Sequence, residues 1–575
     1  MTKQKLILTG LAALSGLLLA LAYPGWSFGS TWLTTSDLGW LAWIGFVPLF
    51  WSLFHIVSEY EHTRKRCGFL VGFAAGLIYF LIVFRWFWSI YPLDTLGIES
   101  RAISFFIILL VYLVSSTGMA MFWGLFGLVT GNCLPRSSPK AMVRGLLVTG
   151  KSKPYRLLIT LPALFVLLEY ALSWGFGFLW AGSGSFFGPH WTLGNLAYSL
   201  ANNPLALKFA SIIGIYGVTF AIIFVNYLIF TILKNKLAET RSTRAILVTR
   251  MALVVLILIA LISGPKLIKQ QTTKQENAGI NFAVIQTAQP TRSFPNSQET
   301  LASFEEQLKL LNRVAKEYPE SQLIIFPETS ELFKNIALFL TPAQVQEYFN
   351  NLFTKPKLII AGGKIIDDSQ VYSRVFDLDT QNDIINHYDK RLLTPGGEFL
   401  PYPLKFLVWL FSKNTNSQFE NLRELNIGGK DVSTVDFRGQ FKTAPMICSE
   451  LLSPNLVKQT SQNSDVIASM ASYGIFHGKQ VIARQMLAAT RFRAAETAKP
   501  IITAANLGKS YAIDSRGNII YLAPDSTSQI LTGFVAFGTD KTWYNKVGDL
   551  PIILASLLIV ISLNFLIWFR EFRRP

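Results

Sequence analysis

The sequence predicts an eight-helix transmembrane bundle joined to a layered α/β domain on the extracytoplasmic side. Three observations lead there. Hydrophobic residues make up 51% of the chain and its mean hydropathy is +0.37, too apolar for an ordinary soluble protein of 575 residues. Apolar runs long enough to cross about 30 Å of hydrocarbon as helix recur near 5–23, 38–57, 67–84, 102–130, 157–174, 209–233, 245–264 and 550–569. From about Asn281 these runs give way to short β-branched stretches broken by Gly, Pro, Asn and Asp, the texture of a separate folded domain.

The first run follows Lys3 and Lys5 as a secretory signal would. No small-residue cleavage site comes after it, and "AYPGWSFG" reads as a membrane boundary, so a retained helix is expected. Orientation follows from the loops, since Lys and Arg beside spans are kept on the cytoplasmic face. Segments 58–66, 132–156 and 234–250 hold 3, 6 and 5 of them, whereas 24–37, 85–101 and 173–207 hold 0, 2 and 0. This alternation predicts three regions: 1–264 with seven helices, 265–549 as an external domain, and 550–575 with the eighth helix and the inner tail "REFRRP". Membrane topology accounts for most of the net charge of +17. A nucleic-acid partner would need a clustered basic face and is not expected; a bilayer is the expected partner, and a monomer the expected state.

Within the external segment, "INFAVIQ", "QLIIF", "KLIIAGG", "SRVFDLD", "FKTAPMI", "SDVIAS" and "PIITAA" read as strands. Between them, "SQETLASFEEQLKLLNRVAKEY" has apolar residues at 301, 304, 308, 311 and 314, and "GKQVIARQMLAATRFRAAETA" has a similar stripe. Strands alternating with helices predict a layered α/β domain. "FLPYPLKFLVWLF" (399–411) is apolar and aromatic but too short to span. It is either a core helix or an arm touching lipid.

Three stretches place a reactive residue at or just past a strand end, where layered α/β domains bind ligands. "LIIFPETS" presents Glu328, "HYDKRLLTPGGEFLPY" presents Lys390 and Glu398, and "KTAPMICSELLSP" presents Cys448 and Glu450. Cys67 and Cys133 lie at inner ends of spans, so Cys448 has no disulfide partner on its own side. A glutamate can serve as base for a thiol. A lysine, helped by a backbone N–H just after the cysteine, can stabilise the oxyanion of an attacked carbonyl. The five histidines lack zinc-site spacing, and neither a metal nor another cofactor is expected.

These stretches, "FPETS", "YDKRLLTPGGEFLP" and "MICSEL", resemble in order and spacing the Glu, Lys and Cys motifs of the nitrilase superfamily. The chain as a whole resembles its membrane branch, the bacterial apolipoprotein N-acyltransferases, also through 41–50, 161–185, 212–220, 491–510 and 542–551. The resemblance implies an αββα nitrilase-like domain on the periplasmic face of the inner membrane. It implies a ping-pong transfer from a phospholipid acyl donor, through a Cys448 thioester, to the N-terminal amine of a diacylglyceryl-lipoprotein acceptor. Glu328 would be the base, Lys390 the oxyanion stabiliser, and Glu398 and Glu450 supporting carboxylates. The sequence departs from the family pattern at Ser449, where an aromatic is usual, and at Gly396 within "PGGE". It departs again in "SMASYG" (469–474) and at Phe294, where the family carries a tryptophan. A membrane-anchored nitrilase-like amidase or hydrolase, a silent acyl-ligand-binding homologue and a transporter remain as alternatives. Glu169, inside the fifth span, is expected to face the bundle interior.

Overall fold

A computed structural model of the protein describes residues 3–26, 38–59, 63–96, 98, 100–133, 155–237, 278–289, 297–411, 424–429, 433–538 and 541–572. The membrane part contains α1 (Lys3–Ala22), α2 (Val47–Glu59), α3 (Arg64–Val83), α4 (Arg101–Cys133), α5 (Tyr155–Leu179) and α6 (Pro204–Leu237). Among the described residues, five stretches are long and apolar enough to cross a membrane: Gly39–Ile56, Arg64–Ile90, Arg101–Gly131, Arg156–Leu179 and Pro204–Lys234. Leu6–Ala22 and Leu550–Ser562 are shorter apolar helices at the first and eighth expected spans, and the seventh, 245–264, lies outside the described residues. Glu169 is buried inside the bundle, accepting from the Leu196 N–H at 2.8 Å and the Thr219 hydroxyl at 2.6 Å. These bonds tie α5 to α6 and to the loop between them.

The α/β domain is built on two six-stranded sheets. The first contains β1 (Gly279–Gln286), β2 (Leu323–Ile325), β3 (Leu358–Asp367), β4 (Gln370–Asp379), β5 (Asp383–Asp389) and β12 (Gln529–Ala536), in the order β12-β1-β2-β3-β4-β5. The second contains β6 (Val435–Phe437), β7 (Phe441–Ile447), β8 (Val466–Ser472), β9 (Ile501–Asn506), β10 (Tyr511–Ile513) and β11 (Ile519–Leu522), in the order β11-β10-β9-β8-β7-β6. β1-β2-β3 and β7-β8-β9 are parallel, so the carboxyl ends of six strands converge on one edge. Side chains alternate across each strand. In β8, Val466, Ala468 and Met470 enter the core between the sheets, while Ile467 and Ala471 face outward.

Outside the first sheet lie α7 (Ser297–Glu317), α8 (Leu332–Ala337) and α9 (Pro342–Leu352), whose apolar stripe of Phe304, Leu311 and Val314 packs on Ala283, Ile324 and Ile359. Outside the second lie α11 (Pro454–Ser461) and α12 (Val481–Thr497). The sequence predicts α12 to have one buried stripe, yet every residue from Ile482 to Thr497 is buried. The cause is that α12 is clamped between the second sheet and the membrane part. Its polar face bonds to that part: Arg484 donates to the Trp26 carbonyl at 2.8 Å, Gln485 to that of Val83 at 3.0 Å, and Arg491 to Asn202 at 2.5 Å. One hydrophobic core runs without interruption from the bundle (Phe46, Tyr79, Trp123) through α12 (Met486, Phe492) to the sheet (Ile467, Ile501).

Further bonds complete the seat: His477 with the Pro92 carbonyl at 3.1 Å, the Tyr402 N–H with that of Ala181 at 2.7 Å, and His190 with Ser453 at 2.7 Å. Trp26, Pro92, Ala181, His190 and Asn202 all belong to the three loops poor in Lys and Arg. The chain closes with α13 (Trp543–Val547) and α14 (Leu550–Phe572), the latter packed on α5 and α6.

Candidate functional site

The site forms where the carboxyl ends of the strands meet the membrane part. Glu328 lies just past β2, on a turn tied to β3 by the Phe326 N–H to Ile360 and the Glu331 N–H to Gly362, at 2.8 and 3.0 Å. Lys390 follows β5, its N–H bonded to the Ser373 carbonyl at 2.9 Å. Its ammonium sits between two carboxylates, 2.7 Å from Glu328 Oε1 and 2.9 Å from Glu398 Oε1, with only 1% of the side chain exposed. Glu398 is aimed by its other oxygen, which accepts the Thr394 N–H at 2.7 Å. The intervening turn places Gly396 at φ +79°, a conformation that a phenylalanine at this position would strain.

Cys448 begins a five-residue 3₁₀ turn (Cys448–Leu452) at the end of β7, not a full α-helix, so little helix dipole acts on it. Its φ of +46° is unusual for a side-chain-bearing residue and turns the backbone sharply out of the strand. Two neighbours hold this geometry. Ser449, where the family has an aromatic, donates to the Leu392 carbonyl at 2.5 Å. Glu450, fully buried, accepts from the Ile447 N–H at 2.8 Å, the Arg391 N–H at 2.8 Å and the Tyr388 hydroxyl at 2.6 Å. Glu450 thus staples the strand end bearing Cys448 to the segment bearing Lys390.

The electrostatics follow from burial. Desolvation and the charge of Glu328 push the Cys448 thiol up to about 12, against the pull of Lys390 and a hydrogen bond from the Ser472 backbone. Desolvation raises Glu328 as well, with Lys390 opposing it. Burial alone would lower Lys390, but Glu328, Glu398 and Cys448 together hold it well above the ordinary lysine range. The resting arrangement is therefore a protonated thiol, a carboxylate of increased proton affinity and a lysine fixed as ammonium. Such a set can activate a thiol by proton transfer and stabilise an oxyanion.

Glu328, Lys390 and Glu398 are in direct contact; Cys448 shares their electrostatic environment; Glu450 stands behind them as a clamp. Sequence reasoning missed Ser472 and Tyr388. Ser472 ends β8, which runs parallel beside β7, so the rule that selected Cys448 also points to it. Tyr388 acts through a partner 62 positions away, and no spacing signals that. Among the described residues, no group of three or more His, Cys, Asp or Glu side chains is placed to hold a metal ion.

Residues 281–544 match the family described as carbon-nitrogen hydrolase. The fold and its edge site thus define a nitrilase-superfamily domain, here built onto a membrane body. That body matches, over residues 15–228, the family described as "Apolipoprotein N-acyltransferase N-terminal domain". A protein of Geobacter metallireducens named apolipoprotein N-acyltransferase is 25% identical over 553 residues, covering 94% of this chain and 91% of its own. Those of the same name from Shewanella oneidensis and Haemophilus influenzae are 24% and 23% identical, over 72% and 71% of this chain and 74% of each of theirs. The chain belongs to the apolipoprotein N-acyltransferase family.

Proposed function

We propose that this membrane protein moves an acyl chain from a phospholipid to the N-terminal amine of diacylglyceryl-cysteine on lipoproteins, through a thioester on Cys448. Glu328 takes the thiol proton as sulfur attacks the ester carbonyl, and Lys390 stabilises the oxyanion. Collapse expels the lysophospholipid alkoxide, which receives the proton from Glu328 and leaves the acyl group on sulfur. The amine then attacks the thioester, Glu328 accepts its proton, and the released thiolate is reprotonated. Glu398 fixes Lys390, and Glu450 fixes the turn at Cys448.

The observation that carries this reading is the ammonium of Lys390 bridged between Glu328 and Glu398, at the edge of the domain that rests on the membrane part. Both substrates are lipid-anchored, so a site on this edge meets them at the bilayer surface. Contact of the α/β domain with the three Lys/Arg-poor loops supports a periplasmic site on the inner membrane. The test is intact mass of the full chain after incubation with phospholipid vesicles. An acyl adduct that is absent in Cys448→Ser, and that is discharged by a diacylglyceryl lipopeptide to give an amide, is the expected result. Discharge by water alone, giving free fatty acid at the same rate with and without lipopeptide, would make the protein a hydrolase.

A further inference from the structure

Three stretches that carry family resemblance, 212–220, 491–510 and 542–551, supply no group to the chemistry above. They meet at one buried joint. α6 is broken at Gly214, with φ +69° and ψ −177°. The Ile215 N–H beyond the break donates to Glu496 Oε1 of α12 at 2.9 Å. Glu496 Oε2 lies 2.8 Å from Arg493 Nη2, and both side chains are fully buried. From the other side, the Tyr544 hydroxyl donates to Asp549 Oδ1 at 3.0 Å, just before α14 returns to the membrane. A Cβ on Gly214 would lie 2.5 Å from the Tyr544 ring and 3.1 Å from that Asp549 oxygen, so only glycine lets the three elements close. The Thr542 hydroxyl donates to the Glu496 carbonyl, and Asn545 to that of Thr497 at 3.1 Å.

A buried cation with two carboxylates is a poor way to gain stability, because desolvation consumes most of the attraction. The directional bonds around it, from the Ile215 N–H to Glu496, from Tyr544 to Asp549, and from Thr542 and Asn545 to the last carbonyls of α12, fix its place where an apolar contact could slide. α12 connects the joint to the chemistry, since it also packs against the Cys448–Leu452 turn. We infer that Arg493, Glu496 and Asp549 are positioning residues that lock the α/β domain onto the broken α6, in the register that lets Cys448 take an acyl chain from an intact bilayer. The inference rests on the acyl-transfer reading. The joint is needed for access to bilayer lipid and not for thiol reactivity.

The test uses the full chain in nanodiscs, wild type beside Glu496→Gln and Gly214→Ala. Glu496→Gln keeps an acceptor for Ile215 but loses the charge; Gly214→Ala leaves the charges and spreads the joint. Acylation of Cys448 is read by mass with two donors, bilayer phospholipid and a water-soluble nitrophenyl ester. Both variants are expected to lose about 10- to 100-fold on the bilayer donor, the scale of a misplaced reacting group, while staying within about twofold on the soluble ester. Hydrogen exchange over 212–220 and α12 is expected to accelerate in both. Equal losses on the two donors, no loss on either, or unchanged exchange overturns the inference. A wild-type chain acylated by neither donor would sink the acyl-transfer reading instead, and the exchange measurement still decides whether the joint holds the domain.

Discussion

Cys448 combines a backbone in the left-handed region with a thiol whose proton is held tightly, up to about 12. A nucleophile of this kind depends on its base at the moment of attack. Ultraviolet thiolate absorbance, taken as wild type minus Cys448→Ser to remove the other cysteines, should show no titration step between about pH 6 and about pH 9. A step in that window would mean a preformed thiolate and no need for Glu328. Glu328→Gln should slow acylation by about 10²- to 10⁴-fold, the scale of a lost general base, with little change in apparent phospholipid affinity. Asp377 offers a separate pH test away from the site. Burial pushes it up to about 7, with only Asn386 at 3.2 Å to favour the ion. Between the usual aspartate range and about 7 the folded chain keeps a proton that the unfolded chain releases, so this group's contribution falls as pH rises. Asp377→Asn should remove that fall, and its thermal midpoint relative to wild type should climb from about pH 5 to about pH 8. At this scale the sequence exposes residues that act through their own side chain at a strand end, such as Glu328, Lys390 and Cys448. It hides those that act through a distant partner, as Tyr388 does.

The helix α10 (Tyr402–Phe411) answers one question left open by the sequence. Tyr402 and Phe406 are 58% and 60% exposed although the segment begins beside Glu398, and its start is tied to Ala181 of the membrane part. This favours an arm lying at the lipid surface over a core helix. Phe406→Ser should leave the thermal midpoint of the full chain within about 1–2 °C, as for a surface change, while slowing acylation from vesicles more than from detergent-dispersed short-chain lipid. A large drop in midpoint would return Phe406 to the core. Legibility at this scale depended on pattern length. All seven strands read from the sequence are present, because each is a β-branched run bounded by turn formers. β5, β6 and β10–β12 were not read: β6 and β10 span three residues each, and β5 carries Asp383, Asn386, His387 and Asp389 among its seven. The helix α12 misled for a different reason. Apolar periodicity reports only faces buried by apolar neighbours, and its remaining face is buried by carbonyls and amides of the membrane loops.

At the scale of the molecule, the loops poor in Lys and Arg are the ones that touch the α/β domain. A reporter active only outside the cytoplasm should therefore work when fused after residue 280 and fail near residue 145 or 240; the reverse would place Cys448 in the cytosol. What the sequence could not convey is that the two parts share one core, since hydropathy treats spans and domain as separate entries in a list of segments. With Met486 and Phe492 of α12 packed in the same cluster as bundle and sheet, neither part has a finished surface without the other. Biogenesis inherits this dependence. The α/β strands are translated after the first helices, with one flank of their sandwich unroofed, so maturation must wait until the earlier helices supply that roof. A chain whose early helices fail to assemble would carry an α/β domain with an open apolar flank, a natural substrate for chaperones and proteases.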